Sequence, residues 1–427
     1  MKGNVSKAKG GGGVSVVDGK VIVKDGDREI ELMQGYKTYG VTIWSTNSNP
    51  ETAVEYTDAA VGMTPGSSDW MSTGIFRNIR PCLLMGDKVV GYLNPNNFAQ
   101  FEDGTAADIT SGSSGDVMIE IPRIGYKISS SGNAISVQVT DDPNNTEFCY
   151  KAHTLGTEVK NKLYIGAYLS SVTGTDAYSN LMLHSLSGQT PSLITLANAR
   201  RGAENREWYG SAGDTAPRYI MSFYQLTLLQ CLYLIMFKNL NSAQTLGHGR
   251  VIDSYSDQGV HNTGTTNTGG MIVKHPNDMG SQIKFLGLED FYGNLTCWID
   301  GLDSASNTAS GSIVISASTG PHFNDSGSYE SLFQYGTDSG EVTQGFISET
   351  GGNSKCGFLP TRASHFTGSS TTYYTDYCKY VKSCYACFGV GVGGANASSK
   401  LMYTDGVFGL WIAATNTDTM GARIMYL

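Results

Sequence analysis

Charge is scarce in this chain. Asp, Glu, Lys and Arg make up 16% of its 427 residues, and no Lys/Arg-rich stripe breaks the pattern. With a formal net charge of -9, this argues against a nucleic-acid partner, which calls for a basic face to neutralise phosphates. The basic, Gly-rich stretch Met1–Gly13 has no apolar centre, so it does not read as a secretory signal. Nucleophile elbow, phosphate loop, HExxH and Rossmann fingerprint are all missing. The eight cysteines (Cys82, Cys149, Cys231, Cys297, Cys356, Cys378, Cys384, Cys387) follow neither a disulfide-scaffold nor a zinc-ribbon rhythm. Buried free thiols are expected, which suits folding in a reducing cytoplasm. His153, His184, His248, His261 and His275 show no metal-ligand spacing.

What is present points to a folded, β-rich body. Gly is abundant at 53 residues, yet aromatics reach 10%, so the Gly, Ser, Thr and Asn read as turns and loops rather than as disorder. The length predicts two or three domains. Three β-prone runs, Val14–Val17, Lys20–Lys24 and Arg28–Leu32, are separated by Asp18-Gly19 and Asp25-Gly26, a strong hairpin signal. So small a meander is not stable alone and implies pairing with copies of itself or with a partner. Further strands are predicted at Val117–Ile121, Tyr126–Ser129, Ala134–Thr140 and Leu163–Tyr168, with a turn at Ser131-Gly132-Asn133. Helices are predicted at Ile194–Tyr209 and Pro217–Asn239, the latter with Pro217 in its first turn. Ile220–Phe237 carries no charge, but Ser222, Gln225, Thr227 and Gln230 favour a helix buried in a large core over a membrane span. After Gly287 the chain turns irregular, with long polar stretches at Ser304–Ser312 and Thr337–Ser354 that suggest functional loops.

Several local patterns invite a chemical reading and mostly decline it. Phe388–Gly394 (FGVGVGG) lacks the Lys-Ser/Thr ending of a phosphate cradle and reads as a strand with close backbone approaches. Cys384-Tyr-Ala-Cys387 is a CxxC without an evident second ligand pair. Glu289 and Asp290, being adjacent, would point to different faces and give no carboxylate dyad. The tail is different. From Thr371 to Met420 it holds Tyr373, Tyr374, Tyr377, Tyr380, Tyr385, Phe388, Tyr403, Phe408 and Trp411 among small polar residues, and no Glu, Gln, Pro, Arg or His. Tyr with Ser, Gly and Asn is the composition of adaptable binding loops. A β core with aromatic cross-strand pairs has the same composition, and composition alone leaves both open.

Longer motifs carry a resemblance. Gly287–Gly301 (GLEDFYGNLTCWIDG) resembles the GxEDxxGNxxxWxDG signature of C-type lectin folds of the formylglycine-generating-enzyme type. Leu228–Gly249 (LLQCLYLIMFKNLNSAQTLGHG) and the segment Tyr39–Pro65 resemble gut phage tail proteins. Gly368–Tyr377 (GSSTTYYTDY), Gly393-Gly394, Phe408-Gly-Leu-Trp411 and Gly421-Ala-Arg423 are similar to variable proteins of diversity-generating retroelements. The resemblance runs over most of the chain from Tyr39 onward.

It implies an α+β, C-type lectin-like domain over residues 70–427, a connecting β segment over 39–69, and a small N-terminal β attachment and oligomerisation segment over 1–38. The implied role is that of a non-enzymatic receptor-binding protein of a phage tail tip or fibre, made in the bacterial cytoplasm and carried on the virion. It would bind a protein or glycan receptor on the host surface and dock on other tail proteins as a homotrimer, with no cofactor, metal, nucleic acid or membrane insertion. In such proteins adenines near the gene's 3′ end are scrambled. The resemblance then assigns residues 361–427 as the variable region, with Tyr377, Tyr380, Ser383, Tyr385, Phe388, Val390, Val392, Asn396, Ser398 and Tyr403 as exchangeable ligand-binding positions. Phe408, Leu410, Trp411, Gly421, Ala422 and Arg423 would be scaffold. The pattern departs from the family where Ala395 and Asn396 follow Gly393-Gly394, and sugar-binding calcium motifs are absent. A cell-surface or pilus-tip adhesin is the alternative, and an oxidoreductase using Cys384 and Cys387 a more distant one.

Overall fold

The computed structural model describes the chain apart from residues 1–13, 18–19, 26–27, 175–179, 206–215, 217, 251–259, 307–312, 319–328, 336–341, 382, 389–405 and 416–419. Strands dominate it. A three-stranded antiparallel meander, Val14–Val17, Lys20–Asp25 and Arg28–Gln34, comes first. The pairing Val17↔Lys20 leaves two residues between strands, as Asp18-Gly19 predicts, while the second connection falls one residue later than expected, after Asp25.

Thr38–Trp44 does not extend this meander. It pairs along its whole length with Ala134–Thr140 in a four-stranded sheet ordered Gly125–Ser131, Ala134–Thr140, Thr38–Trp44, Val54–Asp58. Alternation sets its buried face: Tyr39, Val41 and Ile43 lie opposite Val139, Val137 and Ile135, all buried. A seven-stranded sheet follows, ordered Tyr219–Ile220, Ile424–Tyr426, Lys162–Gly166, Asp116–Pro122, Arg80–Met85, Lys88–Asn94, Asn97–Phe101. Both of its faces are covered. Leu83, Val117, Ile119 and Ile165 join the main core, while Cys82, Leu84, Met118 and Ile424 pack with helix α1 (Leu196–Glu204) and Trp298. The second seven-stranded sheet runs Tyr329–Tyr335, Ile313–Ser318, Cys297–Ser306, Tyr385–Phe388, Leu410–Ala414, Tyr377–Val381, Val342–Phe346. Its one parallel pair joins Tyr377–Val381 to Leu410–Ala414.

The expected α+β, C-type lectin-like class is therefore corrected to a β-rich architecture of stacked sheets. Three α-helices occur among the described residues: α1, α2 (Phe223–Phe237) and the four-residue α3 (Ser242–Thr245). The first predicted helical segment begins two residues later than expected, at Leu196 after the Thr195 cap, and residues 206–209 lie outside the described residues. In the second, Tyr219–Ile220 is drawn into the central sheet by pairing with Met425 and Ile424, and Pro217 lies outside the described residues. The second helix instead starts at a capping box. Ser222 accepts from the Tyr224 amide, and the Gln225 side chain reaches back to the Ser222 amide at 3.0 Å.

Every residue of α2 is buried, as a helix apolar on all sides requires. No described helix is long and apolar enough to cross a membrane. The polar residues of the run all find partners. Gln225 donates to the Ala152 carbonyl, Gln230 to Val407, and Thr227 to Phe223, while the Tyr233 hydroxyl meets Thr245. The helix packs against Thr38–Trp44, Ala134–Thr140 and Cys297–Ser306, so it is the post that two of the sheets share.

Substituting Ser222→Ala removes a cap acceptor in a buried setting and should lower the unfolding free energy by about 1–2 kcal/mol in urea titration. A loss below about 0.3 kcal/mol would show that the box does not hold the helix start.

Candidate functional site

The lectin-like signature forms a buried polar node. Gly287 takes a φ of 84°, and a Cβ there would lie 2.5 Å from Ile119, so only glycine lets this turn sit on the central sheet. The two adjacent carboxylates do point apart. Glu289 accepts from the amides of Gly264 and Thr266, at 2.6 and 2.8 Å, whereas Asp290 accepts from the side-chain amides of Gln282 and Asn294. Trp298 donates to the Ile194 carbonyl at 2.7 Å, and Asp300 pairs with Arg200 at 2.5 Å.

Arg423, 1% exposed, closes the node from the last strand. Its guanidinium donates to the carbonyl oxygens of Gly166 at 2.8 Å, Glu289 at 2.6 Å and Asp290 at 2.8 Å. Burial, and then the neighbouring Glu289, push the Asp290 carboxyl well above the usual carboxylate range. Burial pulls Lys284 down to about 8, with Glu289 opposing the shift. Glu289 and Asp290 are 1% and 2% exposed, so the node is buried.

The tail separates into frame and display positions. Tyr374, Cys378, Tyr380, Ala386, Phe408, Leu410 and Ile412 are buried. Tyr380 donates its hydroxyl to the Pro360 carbonyl and meets Phe366 edge-on at 5.7 Å; Tyr374 meets Phe408 edge-on at 5.2 Å. Tyr377, 7% exposed, packs against Phe346. Tyr377 and Tyr380, expected as ligand-binding positions, are instead buried in aromatic packing, Tyr377 against Phe346 on the paired strand and Tyr380 against Phe366 of the turn Ala363–Phe366. Ser383 is exposed, in a left-handed turn with φ 59°. Tyr385 and Phe388 lie on a central strand, with side chains outside the described residues. Val390, Val392, Asn396, Ser398 and Tyr403 lie outside the described residues altogether.

Of the expected scaffold, Phe408, Leu410, Gly421, Ala422 and Arg423 are buried. Trp411 is half-buried, with the Lys379 ammonium 5.7 Å from its ring. Cys384 is buried and in no disulfide. No group of three or more potential metal-ligating side chains gathers among the described residues.

Sequence reasoning missed a polar cleft of about 200 Å³ beside the tail, lined by Asn241, Gln244, His248, Asn277, Thr371 and Asp376 among others. Asp376 also accepts from the Phe408 amide at 2.9 Å. The lining comes from three separated segments, and the only local hint was a polar run after the apolar helix.

Removing the clamp by Arg423→Met leaves three buried carbonyls without their donor. It should cost about 3–5 kcal/mol or abolish a cooperative transition in guanidinium titration, with Arg423→Lys only partly restoring it. A cost under about 1 kcal/mol would show that the strand is held by other contacts. The Lys284 shift has a definite sign. Its folded pKa lies below the roughly 10.4 of a solvated lysine, so between pH 8 and 10 the unfolded chain binds more protons and stability rises with pH. Lys284→Met should lose that rise; parallel pH profiles for the two proteins would contradict it.

No known protein family, curated protein or solved structure matches this chain.

Proposed function

We propose that the chain is a ligand-binding protein of a phage tail tip or fibre, presenting an exchangeable segment to a receptor on the host cell surface. One observation carries this. Tyr385–Phe388 and Leu410–Ala414 are hydrogen-bonded neighbours in the middle of a seven-stranded sheet, with Phe388 opposite Leu410. An ordinary hairpin joins such strands with about two to five residues. Here the connection runs from residue 389 to 409 and is rich in Gly, Ala, Ser and Asn. Loop-closure entropy grows slowly with length, so a stable frame tolerates a long connection whose sequence changes. Tyr374, Cys378, Tyr380, Ala386, Phe408, Leu410 and Ile412, on either side of it in sequence or at its end, are buried.

In this reading Ser383, Asn396, Ser398 and Tyr403 are changeable contacts, and Tyr403 supplies an aromatic anchor of about 2 kcal/mol. The N-terminal meander, a three-stranded sheet that hydrogen-bonds only within itself among the described strands, serves attachment to other tail proteins and trimer formation. Copies held together raise weak single-site binding by avidity. Catalysis by Cys384 and Cys387 is not part of the proposal: Cys384 is buried, and the Cys387 side chain lies outside the described residues.

The test is capture of labelled protein on a panel of bacterial isolates. Asn396→Ala, Ser398→Ala and Tyr403→Ala combined should reduce capture at least about tenfold while shifting stability by no more than about 0.5 kcal/mol per site. Undiminished capture would sink the assignment of the segment. A near-copy of the gene's 3′ end differing only at adenines, beside a reverse transcriptase gene, is expected if the segment is actively exchanged.

A further inference from the structure

The polar cleft beside the tail is not isolated. A second depression of about 380 Å³, lined by Glu51, Pro65, Lys238, Lys274 and Pro276 among others, shares Gln244 with it. That side chain is exposed, and Ser242 in the first depression accepts from the Val407 amide near the end of the connection 389–409. From this geometry we infer that the two depressions form the lobes of a groove that binds an oligosaccharide.

The first lobe has a buried floor and an exposed rim. Asn241, Ser242, Thr375 and Asp376 form the floor, and Asn277 and Thr371 stand on the rim. The floor is held in place before any ligand arrives. Asn241 accepts from the Gln244 amide, Ser242 from Val407 and Asp376 from Phe408. Carboxamides, hydroxyls and one carboxylate match the alternating donors and acceptors of a polyol. Its described lining holds no lysine or arginine, and burial lowers the His248 pKa. An anion would meet the Asp376 carboxylate, and a divalent metal would find that single carboxylate among the described lining.

The second lobe is chemically different. Lys238 and Lys274 face it, and Pro65 and Pro276 offer flat apolar rings to the C–H faces of a sugar. Phe237 lines it but is only 4% exposed, so the groove lacks the deep apolar pocket a peptide side chain needs as an anchor. Glu51 and Asp376 in the walls, with a net charge of -9, disfavour a nucleic-acid strand. The ligand that fits is a chain of at least two sugars with neutral hydroxylated units in the first lobe. A carboxylated unit, such as a uronic acid, fits beside the lysines of the second.

The experiment uses the full chain on a printed array of neutral, N-acetylated and uronic-acid-bearing oligosaccharides, with titration of the best binder by calorimetry. Gln244→Trp fills the shared wall from an exposed position and should weaken binding tenfold or more with an unchanged melting curve. Lys274→Glu should weaken uronate-bearing ligands selectively and leave neutral ones within about twofold. No binding to any class, or binding indifferent to both substitutions, overturns the inference. Loss of cell capture on changing Asn396, Ser398 and Tyr403 and loss of sugar binding on changing Gln244 are read in separate assays.

Discussion

The structure turns on one buried guanidinium. Arg423 immediately precedes the three-residue strand Ile424–Tyr426 and satisfies carbonyls from two remote segments, Gly166 in the central sheet and Glu289–Asp290 in the signature loop. A charge so deeply enclosed is tolerable only when its donors are engaged and acidic groups lie near, and Glu289 and Asp290 supply that field. The backbone around it is threaded just as tightly. Ser170 donates to the Ala422 carbonyl, Met221 to that of Arg423, and Trp298 to that of Gly421. The terminal strand Ile424–Tyr426 thereby lies inside the sheet, between Tyr219–Ile220 and Lys162–Gly166, instead of at its edge.

That placement explains the location of the polar residues in α2. A helix buried on all sides could rotate or slide if only apolar contacts held it, because dispersion is not directional. Gln225 and Gln230 remove that freedom by donating to Ala152 and Val407, far apart in sequence. Gln230 ties the helix to the tail's frame and Gln225 to the segment leading into the central sheet. Each would cost about 1–3 kcal/mol if left unsatisfied, so the polar groups specify position as well as tolerate burial.

Much of this was legible where pattern is local. Ala134–Thr140 was read to the residue because alternation is strict and a Ser-Gly-Asn turn precedes it. The buried helix was evident from its uncharged run, but its start was misplaced by trusting Pro217 over Ser222-Phe-Tyr-Gln225, a capping box spelled out in the sequence. The tail's aromatics were ambiguous for a physical reason: tyrosine serves core and surface alike. The period-two burial of Cys378 with Tyr380, and of Leu410 with Ile412, was the clue that assigned Tyr380 to the frame. The fold class failed at a longer range. A signature shared in residues was read as a shared architecture, whereas Glu289, Asp290 and Arg423 fix a local polar node that a β-rich fold also accommodates. The groove left only the polar run after the apolar helix as a local hint, since its walls come from five separate stretches.

The register of the tail's strands constrains the path of the chain between them. Tyr377–Val381 and Leu410–Ala414 pair in parallel, so the chain must leave the sheet and return before Leu410, whatever lies between. The excursion through Tyr385–Phe388 and the connection after it spends part of that return as a central strand, fastened on one side to Trp298 and on the other to Trp411 through Cys387. Both ends of the connection are consequently anchored by ladder hydrogen bonds that do not depend on side-chain identity. Tyr380, Phe408 and Arg423, all buried, add side-chain packing to that backbone anchoring.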